Sequence, residues 1–321
     1  MRRFVLFWLL AAAFLQAAEL LRLEDSVDAM GTTYTVVAYA GEQQELEEAV
    51  EAAFAEARRL DRMLSNYRPE SEWSRMNREA ARGPVSVSPE LFRLLRACAE
   101  FNRQSEGTFD ISVGPLMRVW KFYRDSGRLP AKAEISAVLG RVGFGNVVLD
   151  PKNLSVRFLK EGVELDPGGI GKGYAVDRMA EKLKQLGIRS ALVSAGSSSI
   201  YGLGAPPNDS GWTVKIRHPR VHEDTVAEVE LRDESLSTSG DYEKFFMAEG
   251  RMYSHIMDPR TGYPARGVAS VSVIAPRTLD SEAWAKPFFI LGRSWTSKNK
   301  PEGLRVFLCE GQSKLACAWL Q

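Results

Sequence analysis

The sequence has little of several features that would narrow its function at once. It contains no internal repeat, low-complexity tract or long linker. Its 42 basic and 41 acidic side chains leave a formal net charge of +1. Without an excess of either sign there is no global electrostatic field to attract nucleic acid or an anionic membrane. We therefore expect no nucleic-acid partner, and any anionic ligand must be held by local groups.

A pronounced apolar run lies at the N-terminus. Arg2 and Arg3 precede an apolar stretch over residues 4–15, and the small residues Ala17 and Ala18 follow it. This order is typical of a secretory signal peptide. The run is shorter than the about 20 residues of a membrane-spanning helix, although an uncleaved N-terminal anchor stays an alternative. We expect residues 1–18 to be the signal peptide and residues 19–321 to form the folded domain, exported to the periplasm.

Cysteine and histidine are scarce, with three of each in 321 residues. An odd number of cysteines in an exported chain cannot be fully paired internally. Cys98 falls on the apolar face of a predicted helix, which favours a buried thiol. Cys309 and Cys317 fall on neighbouring strand candidates, so a disulfide between them is open. His218 and His222 lie in a polar stretch, where we expect them to be solvated.

Helices and strands follow one another without regular βαβ order. Residues 42–64 and 172–186 have helical patterns, and a serine followed by proline at 88–89 is a favourable helix start. We also predict a helix at 282–291 and strands at 30–40, 163–165, 191–194, 226–231, 268–274, 305–309 and 315–320. The pattern predicts an α+β fold with mixed or antiparallel sheets flanked by helices, rather than a doubly wound sheet.

The segment richest in chemical information covers residues 166–174, Asp-Pro-Gly-Gly-Ile-Gly-Lys-Gly-Tyr. Glycines let the backbone approach a ligand, and the free N–H groups at a helix start favour an anion. Lys172 adds a full positive charge, so a phosphate or pyrophosphate is the expected ligand. The spacing fits neither a Walker A loop nor the dinucleotide-binding fingerprint. On this segment alone, a tight turn with a surface lysine stays an alternative.

Further short motifs accompany this segment. They are Met-Gly-Thr at 30–32, Leu-Ser-Asn-Tyr at 64–67, Gly-Thr-Phe-Asp at 107–110, Ala-Gly at 195–196, Ser-Thr-Ser-Gly at 237–240 and His-Ile-Met-Asp-Pro-Arg-Thr-Gly at 255–262. In this order and spacing the set resembles the ApbE family, the FAD:protein FMN transferases. The resemblance runs from about residue 23 to the C-terminus.

The resemblance implies a fold, an activity and partners. It implies a single, two-lobed, T-fold-like α+β domain with the flavin between the lobes. Members of the family use FAD and a divalent metal, usually magnesium, to transfer FMN to a Thr or Ser hydroxyl of an acceptor protein, and they release AMP. Acceptors are typically subunits of membrane redox complexes that face outside the cytoplasm. Some members instead hydrolyse FAD to FMN and AMP, and a non-catalytic flavin-binding protein of the same fold is a further alternative.

Matched residue by residue, the resemblance assigns a flavin-nucleotide site and a proton acceptor. The expected FAD-contacting residues are Met30, Tyr67, Thr108, Phe109, Asp110, Asp166, Lys172 and Ile256. Cleavage of a phosphoanhydride depends mainly on positioning and on charge neutralisation, which lysine and backbone N–H groups can supply. His255 is the candidate catalytic base, because a neutral imidazole accepts a proton near neutral pH. A structural histidine bonded to a turn backbone is the alternative for this residue.

The sequence departs from the family at the implied metal site. The family uses a backbone carbonyl of the glycine-rich turn, here Gly169, with an Asp and, four residues later, a Thr on one helical face. Here Glu282 and Lys286 hold those two positions. Glutamate can still bind magnesium, but a protonated lysine has no lone pair to offer. Three explanations are open: Lys286 replaces the metal in catalysis, the metal binds through Glu282 with Lys286 turned aside, or only flavin binding is kept. Pro287 is tolerable only in the first turn of a helix, which predicts altered local geometry.

Overall fold

A computed structural model of the protein describes residues 20–123, 127–221, 223–311 and 314–321. The predicted signal peptide at residues 1–18 and His222 lie outside the described residues. The helices are α1 (Gln43–Leu64), α2 (Glu72–Glu79), α3 (Pro89–Gln104), α4 (Gly114–Val119), α5 (Lys132–Leu139), α6 (Gly171–Gln185) and α7 (Thr278–Asn299). The strands are β1 (Leu21–Ala29), β2 (Thr32–Ala40), β3 (Val85–Ser86), β4 (Val147–Asp150), β5 (Ser155–Phe158), β6 (Ser190–Ala195), β7 (Ser199–Leu203), β8 (Trp212–Arg217), β9 (Thr225–Leu231), β10 (Glu234–Gly240), β11 (Phe245–Ala248), β12 (Arg251–Ser254), β13 (Met257–Asp258), β14 (Tyr263–Pro264), β15 (Val268–Ala275), β16 (Arg305–Glu310) and β17 (Ala316–Leu320).

An eight-stranded sheet forms the centre of the fold. Its strand order is β1-β2-β6-β7-β10-β15-β16-β17, and every neighbouring pair is antiparallel. Helices α1, α6 and α7 pack on one face of this sheet, and the hairpin of β8 and β9 contributes to a separate apolar cluster with sheet residues. The predicted α+β fold with antiparallel sheets flanked by helices is confirmed.

The apolar spacing of α1 explains how it attaches to the sheet. Leu46, Val50, Phe54, Ala57 and Leu60 recur every three or four residues, so they share one face of the helix. That face is buried against β1, β2 and α6. Burial of one such leucine contributes about 1.5–3 kcal/mol relative to exposure. The predicted helix at 42–64 is confirmed within one residue.

A smaller cluster lies beside the main core. It joins α4 and α5 to the hairpin of β11 and β12, and its centre is Trp120. The indole N–H of Trp120 donates to the carbonyl of Gly262 at 2.9 Å, so the buried ring has its polar atom satisfied. Met257 of this cluster follows His255 by two residues, and both line the same cavity as the glycine-rich turn that precedes α6.

The predicted strand at 163–165 is wrong. Val163 and Leu165 are buried as expected, but the segment has no strand partner in the described residues. Side chains satisfy its backbone instead: Asn77 Oδ1 accepts from Leu165 N at 2.9 Å, and Trp73 Nε1 and Asn77 Nδ2 both donate to Leu165 O at 2.9 Å. An apolar run of three residues cannot reveal whether its hydrogen bonds go to a strand or to side chains.

Two further boundaries differ from the prediction. The first strand begins at Thr32 rather than residue 30, because Met30 (φ 51°) and Gly31 (φ 73°) form a tight turn after β1, a strand we did not predict. Helix α7 runs over Thr278–Asn299 rather than 282–291, with non-helical backbone at Gly292. Pro287 therefore lies inside the helix, so the expectation that a proline is tolerated only in a first turn does not hold here.

The cysteines follow the expectations. Cys98 is free and buried, and burial raises the pKa of its thiol above the ordinary value. Cys309 on β16 lies opposite Cys317 on β17, and the two form a disulfide. Within the described ranges, no helix combines the length and the apolar character that crossing a bilayer requires.

Candidate functional site

One cavity of about 500 Å³ collects the residues that the sequence singled out. It lies between the turn before α6, the 107–113 loop and the segment that follows β12. Its lining includes every predicted FAD-contacting residue, both predicted catalytic residues and both predicted metal ligands: Met30, Tyr67, Thr108, Phe109, Asp110, Asp166, Gly169, Lys172, His255, Ile256, Glu282 and Lys286. These residues come from distant parts of the chain, so only the fold brings them together.

The glycine-rich turn is held by its own aspartate. Asp166 Oδ1 accepts from Gly168 N at 2.9 Å and from Asn66 Nδ2 at 3.3 Å. Burial of the carboxylate raises the pKa of Asp166 to about 6. Lys172 follows at the start of α6 and donates to Ser198 Oγ. The turn therefore presents an ammonium group and a helix start to the cavity, which suits an anionic ligand.

Helices α6 and α7 approach each other closely at Gly173. A Cβ at this position would lie 2.5 Å from Thr278 O and 2.8 Å from Glu282 Oε2. The glycine is therefore required by packing between the two helices. Its N–H donates to Glu282 Oε2 at 2.6 Å, so the glutamate satisfies a free amide in the first turn of α6. In return, Asp177 of α6 accepts from Thr278 N at 2.6 Å and from Leu279 N at 2.9 Å.

Lys286 folds back onto the first turns of its own helix. Its Nζ donates to Glu282 O at 2.8 Å and lies 3.8 Å from Glu282 Oε1. A Cβ on Gly169 would lie 3.7 Å from Lys286 Cε, so the lysine stem also lies against the glycine-rich turn. Burial lowers the pKa of Lys286 to about 8, although Glu282 works in the opposite direction. Lys286 therefore lies beside both of the other residues that the sequence grouped around a metal, Gly169 and Glu282.

The residues at this position do not fit a magnesium ion. One oxygen of Glu282 accepts from Gly173 N, and the other lies 3.8 Å from an ammonium group. A divalent ion about 4 Å from that ammonium would be repelled by about 8 kcal/mol at an effective dielectric constant of about 20. Across residues 20–123, 127–221, 223–311 and 314–321, no group of at least three His, Cys, Asp or Glu side chains has the geometry of a metal site.

His255 is bonded to the backbone of the hairpin formed by β11 and β12. The backbone N–H of His255 donates to Lys244 O at 2.9 Å, and the ring nitrogen Nδ1 of His255 lies 3.2 Å from the same carbonyl oxygen. A carbonyl can only accept, so this contact assigns the ring proton to Nδ1 and leaves Nε2 able to accept a proton. Burial, with a smaller contribution from the charges of Lys172, Lys244 and Lys286, lowers the pKa of His255 to about 4. The imidazole is neutral near pH 7, and the geometry suits both of its predicted roles.

The 107–113 loop is stabilised by Asp110. Its carboxylate accepts from Asn102 Nδ2 at 3.0 Å, Ser112 N at 2.7 Å, Ser112 Oγ at 2.6 Å and Phe144 N at 2.8 Å. Burial raises the pKa of Asp110. Both of its oxygens are thus engaged by the protein, so its contribution is to fix the loop that carries Thr108 and Phe109, both of them buried.

The remaining predicted residues border the cavity in different ways. Met30 has a left-handed backbone at φ 51°, and its N–H donates to Asp61 Oδ1 at 2.9 Å. Tyr67 is 54% exposed and donates through its hydroxyl to Tyr123 O at 2.7 Å. Ile256 is buried. An exposed aromatic ring beside a pocket is suited to cover a planar ligand.

Several lining residues were missed by the sequence analysis. Asn66 Oδ1 and Ser199 Oγ are buried and have no hydrogen-bond partner in the described part of the chain, which leaves two acceptors for a ligand. Asn66 belongs to the Leu-Ser-Asn-Tyr motif at 64–67, and only its place in that motif could have marked it as a ligand-binding residue. Lys244 lines the cavity as well, but no local pattern distinguishes it from a surface lysine.

Known proteins resemble this chain along most of its length. The model of the ApbE family matches residues 30–307. A FAD:protein FMN transferase of Klebsiella pneumoniae is 32% identical over 237 residues, 73% of each chain, and one of Treponema pallidum is 33% identical over 263 residues, 77% of this chain and 72% of the relative. The crystal structure of an ApbE protein from Thermotoga maritima matches with a TM-score of 0.84 at 30% identity, covering 94% of this chain and 96% of that one. The apo flavinyl transferase ApbE of Pseudomonas stutzeri matches with a TM-score of 0.81 at 29% identity, covering 94% and 95%. The chain therefore belongs to the ApbE family.

Proposed function

We propose that the chain transfers the FMN half of FAD to a Thr or Ser hydroxyl of an acceptor protein and releases AMP. The observation that carries the proposal is the convergence of the glycine-rich turn, Lys172, Lys286 and a neutral His255 on one cavity. The relatives named FAD:protein FMN transferase support it. Positive groups next to a proton acceptor suit the attack of a hydroxyl on a diphosphate.

The proposed step balances without a further reactant. The acceptor oxygen forms a bond to the phosphorus of the FMN half, and the bond from that phosphorus to the bridging oxygen breaks. The bridging oxygen keeps the electron pair and leaves with AMP. His255 Nε2 takes the proton of the acceptor hydroxyl, because its Nδ1 is bonded to the Lys244 carbonyl. Lys172 lies at the start of α6, where it neutralises charge on the diphosphate.

A non-catalytic flavin-binding protein is the second candidate function. The observation that favours it is the change at the implied metal site, where Glu282 is engaged by Gly173 and Lys286 stands four residues later. Such a protein would bind FAD and release no AMP. An FAD pyrophosphatase is a third candidate, and it differs from the transferase in the nucleophile, which is water.

The proposal includes a location and a class of acceptor. The signal-peptide pattern of residues 1–18 supports export to the periplasm, with an uncleaved N-terminal anchor as the alternative. An exported enzyme requires an acceptor on the same side of the membrane, and we propose a subunit of a membrane redox complex. Cell fractionation and N-terminal sequencing of the mature protein test the location. Recovery of full-length protein in the cytoplasm would contradict it.

The test of the activity is an incubation of the purified chain with FAD and a candidate acceptor. AMP is measured by chromatography, and covalent flavin by in-gel fluorescence of the denatured acceptor. Transfer predicts AMP and fluorescent acceptor in equal amounts. AMP without labelled acceptor would identify a pyrophosphatase, and bound FAD without AMP would identify a flavin-binding protein.

A further inference from the structure

We propose that Lys286, together with Lys172, takes over the charge-neutralising role of a divalent cation at the diphosphate, so that the chain acts on FAD without magnesium. The inference rests on the proposed function and specifies how its site is built. It follows from the positions of Glu282, Lys286 and the glycine-rich turn, and it makes the ammonium of Lys286 a catalytic group.

The side chain of Lys286 occupies the space where the family pattern implies a cation. Its stem lies against Gly169, whose carbonyl the pattern assigns to the metal, and its Nζ lies 2.8 Å from Glu282 O and 3.8 Å from Glu282 Oε1. The side chain is 22% exposed and lines the cavity. An ammonium group held in this way carries its charge at the cavity wall.

Glu282 already has two partners, so it has little left to give a metal. Its Oε2 accepts from Gly173 N at 2.6 Å, and its Oε1 faces Lys286. The first contact belongs to the packing of α6 on α7, where Asp177 makes the reverse contact. The family pattern has an Asp at this position, and the longer Glu of this chain reaches the backbone of α6.

The charges that face the cavity support an anionic ligand without a metal. Lys172, Lys244 and Lys286 line it and act together on His255. The lining carboxylates are largely engaged elsewhere: Asp61 pairs with Arg68, and Asp110 with its own loop, while Asp166 caps the glycine-rich turn and Glu282 caps α6. Glu243 also lines the cavity. The diphosphate thus meets ammonium groups at the wall formed by α6 and α7.

In the transfer step these ammonium groups contribute electrostatic stabilisation only, and they exchange no proton with the substrate. While the acceptor oxygen bonds to the FMN phosphorus and the bridging oxygen leaves with AMP, negative charge grows on the departing phosphate. Lys286 and Lys172 stabilise that charge, and His255 holds the proton from the hydroxyl. A fixed ammonium beside the leaving oxygen provides the electrostatic help that the mechanism requires.

The first test measures metal binding by the protein without FAD. Mn²⁺ is titrated into the purified chain, and free Mn²⁺ is followed by electron paramagnetic resonance. We expect no specific binding by the wild type at millimolar Mn²⁺, and binding by the double variant Glu282→Asp plus Lys286→Thr. Stoichiometric binding by the wild type would overturn the proposal. Absence of binding by both proteins would also count against it, because Lys286 would then not be what excludes the metal.

The second test measures transfer in EDTA and in magnesium. The wild-type rate should agree within about twofold in the two conditions, and Lys286→Met should lose about 10²- to 10³-fold in both. Lys286→Arg should recover part of the loss, because it restores the positive charge. Lys298→Met is the matched control, an exposed lysine in the last turn of the same helix, and should act like wild type. Loss of wild-type transfer in EDTA with recovery in magnesium would overturn the proposal.

FAD affinity keeps the inference testable if no transfer is found. Fluorescence quenching gives the dissociation constant in EDTA and in magnesium for wild type and Lys286→Met. We expect equal wild-type affinity in both conditions and about tenfold weaker binding by the variant, since a cation facing the diphosphate is lost. Unchanged binding by the folded variant would overturn the role of Lys286, whereas absence of AMP with the expected affinities would overturn only the transferase activity.

Discussion

Asp177 and Glu282 each satisfy the first turn of the helix that carries the other. Asp177 of α6 accepts from the N–H groups of Thr278 and Leu279 at 2.6 Å and 2.9 Å, and Glu282 of α7 accepts from Gly173 at 2.6 Å. The free N–H groups of two helix starts are thereby satisfied by carboxylates from the facing helix. This exchange fixes the wall of the cavity on which Lys172 and Lys286 lie.

Replacing Asp177 with alanine tests this exchange. Asp177→Ala leaves two backbone N–H groups of α7 without an acceptor, and we expect a loss of about 1–2 kcal/mol in the free energy of unfolding. Urea denaturation followed by circular dichroism measures it. Glu181→Ala is the matched control, an exposed carboxylate on the same helix, and should change stability by less than about 0.5 kcal/mol. Equal effects of the two substitutions would contradict the exchange.

Gly173 tests how closely α6 and α7 approach. Gly173→Ala puts a methyl group 2.5 Å from Thr278 O, so the helices must separate. We expect a loss of about 1–3 kcal/mol in the free energy of unfolding, together with weaker FAD binding, because the Glu282 contact lies at the same point. Gly145→Ala serves as the control, since its methyl group would meet nothing within 4 Å. A Gly173→Ala protein as stable as this control would disprove the close approach.

Asp166 links the stability of the fold to pH. Its folded-state pKa is raised to about 6 from 3.8, so its ionised form is less favourable in the folded than in the unfolded protein. Protonated Asp166 therefore favours the folded state. This contribution to the free energy of unfolding is fully present below about pH 4 and is lost as the pH rises through about 6. Asp166→Asn carries no charge and keeps an acceptor for Gly168. The free energy of unfolding of this variant should exceed that of the wild type by on the order of 1–3 kcal/mol at pH 8 and by little at pH 4.

The measurement for Asp166 is thermal or urea unfolding of both proteins at pH 4, 6 and 8. Asp150→Asn is a useful comparison, because the Lys152 amide and Asn153 lower the pKa of Asp150. Asp150→Asn should not increase the free energy of unfolding at pH 8. A gain for Asp166→Asn that is the same at all three pH values would contradict the raised pKa.

His255 should titrate far below an ordinary histidine. Burial and the neighbouring lysines lower its pKa to about 4, so the imidazole of the FAD-free protein is neutral from about pH 5 upward. Nuclear magnetic resonance of the imidazole C–H signals measures the midpoint, and His255→Gln assigns the signal. A midpoint at or above 6.5 would show that the ring is not buried as described. Addition of FAD should raise the midpoint, because the diphosphate brings negative charge.

The His255→Gln variant separates the two roles predicted for this residue. Glutamine can donate to the Lys244 carbonyl as the imidazole does, but it cannot accept a proton at neutral pH. If His255 is the base, transfer should fall by about 10²- to 10⁴-fold with FAD affinity nearly unchanged. If the residue is only structural, the variant should keep its activity. The comparison needs kcat and FAD affinity from the same preparations.

Patterns confined to one segment predicted the local structure well. The helix at 42–64 follows from apolar spacing, and the start of α3 follows from Ser88, whose hydroxyl accepts from Leu91 N ahead of a proline at the first helical position. The facing cysteines of β16 and β17 were identified as a possible pair from their strands alone. In each case the residues that determine the structure are neighbours in sequence, so the sequence contains the needed information.

Features that depend on a distant partner were not predictable. The backbone of Leu165 is bonded by Trp73 and Asn77, which no pattern at 163–165 indicates. The start of α7 at Thr278 was missed because it depends on Asp177, a residue of another helix. The residues that line the cavity were predicted because the motifs of the chain resemble those of the ApbE family. Lys244 was missed because only the fold brings it close to His255.

The mass of the acceptor protein after incubation with the chain and FAD tests the central claim most directly. Intact-protein mass spectrometry is done on the denatured acceptor, with the acceptor Thr or Ser replaced by Ala as the control. We predict a mass gain of one FMN less one water on the acceptor, none on the control, and one AMP released for each modified acceptor. An acceptor of unchanged mass beside a chain that binds FAD would contradict the account.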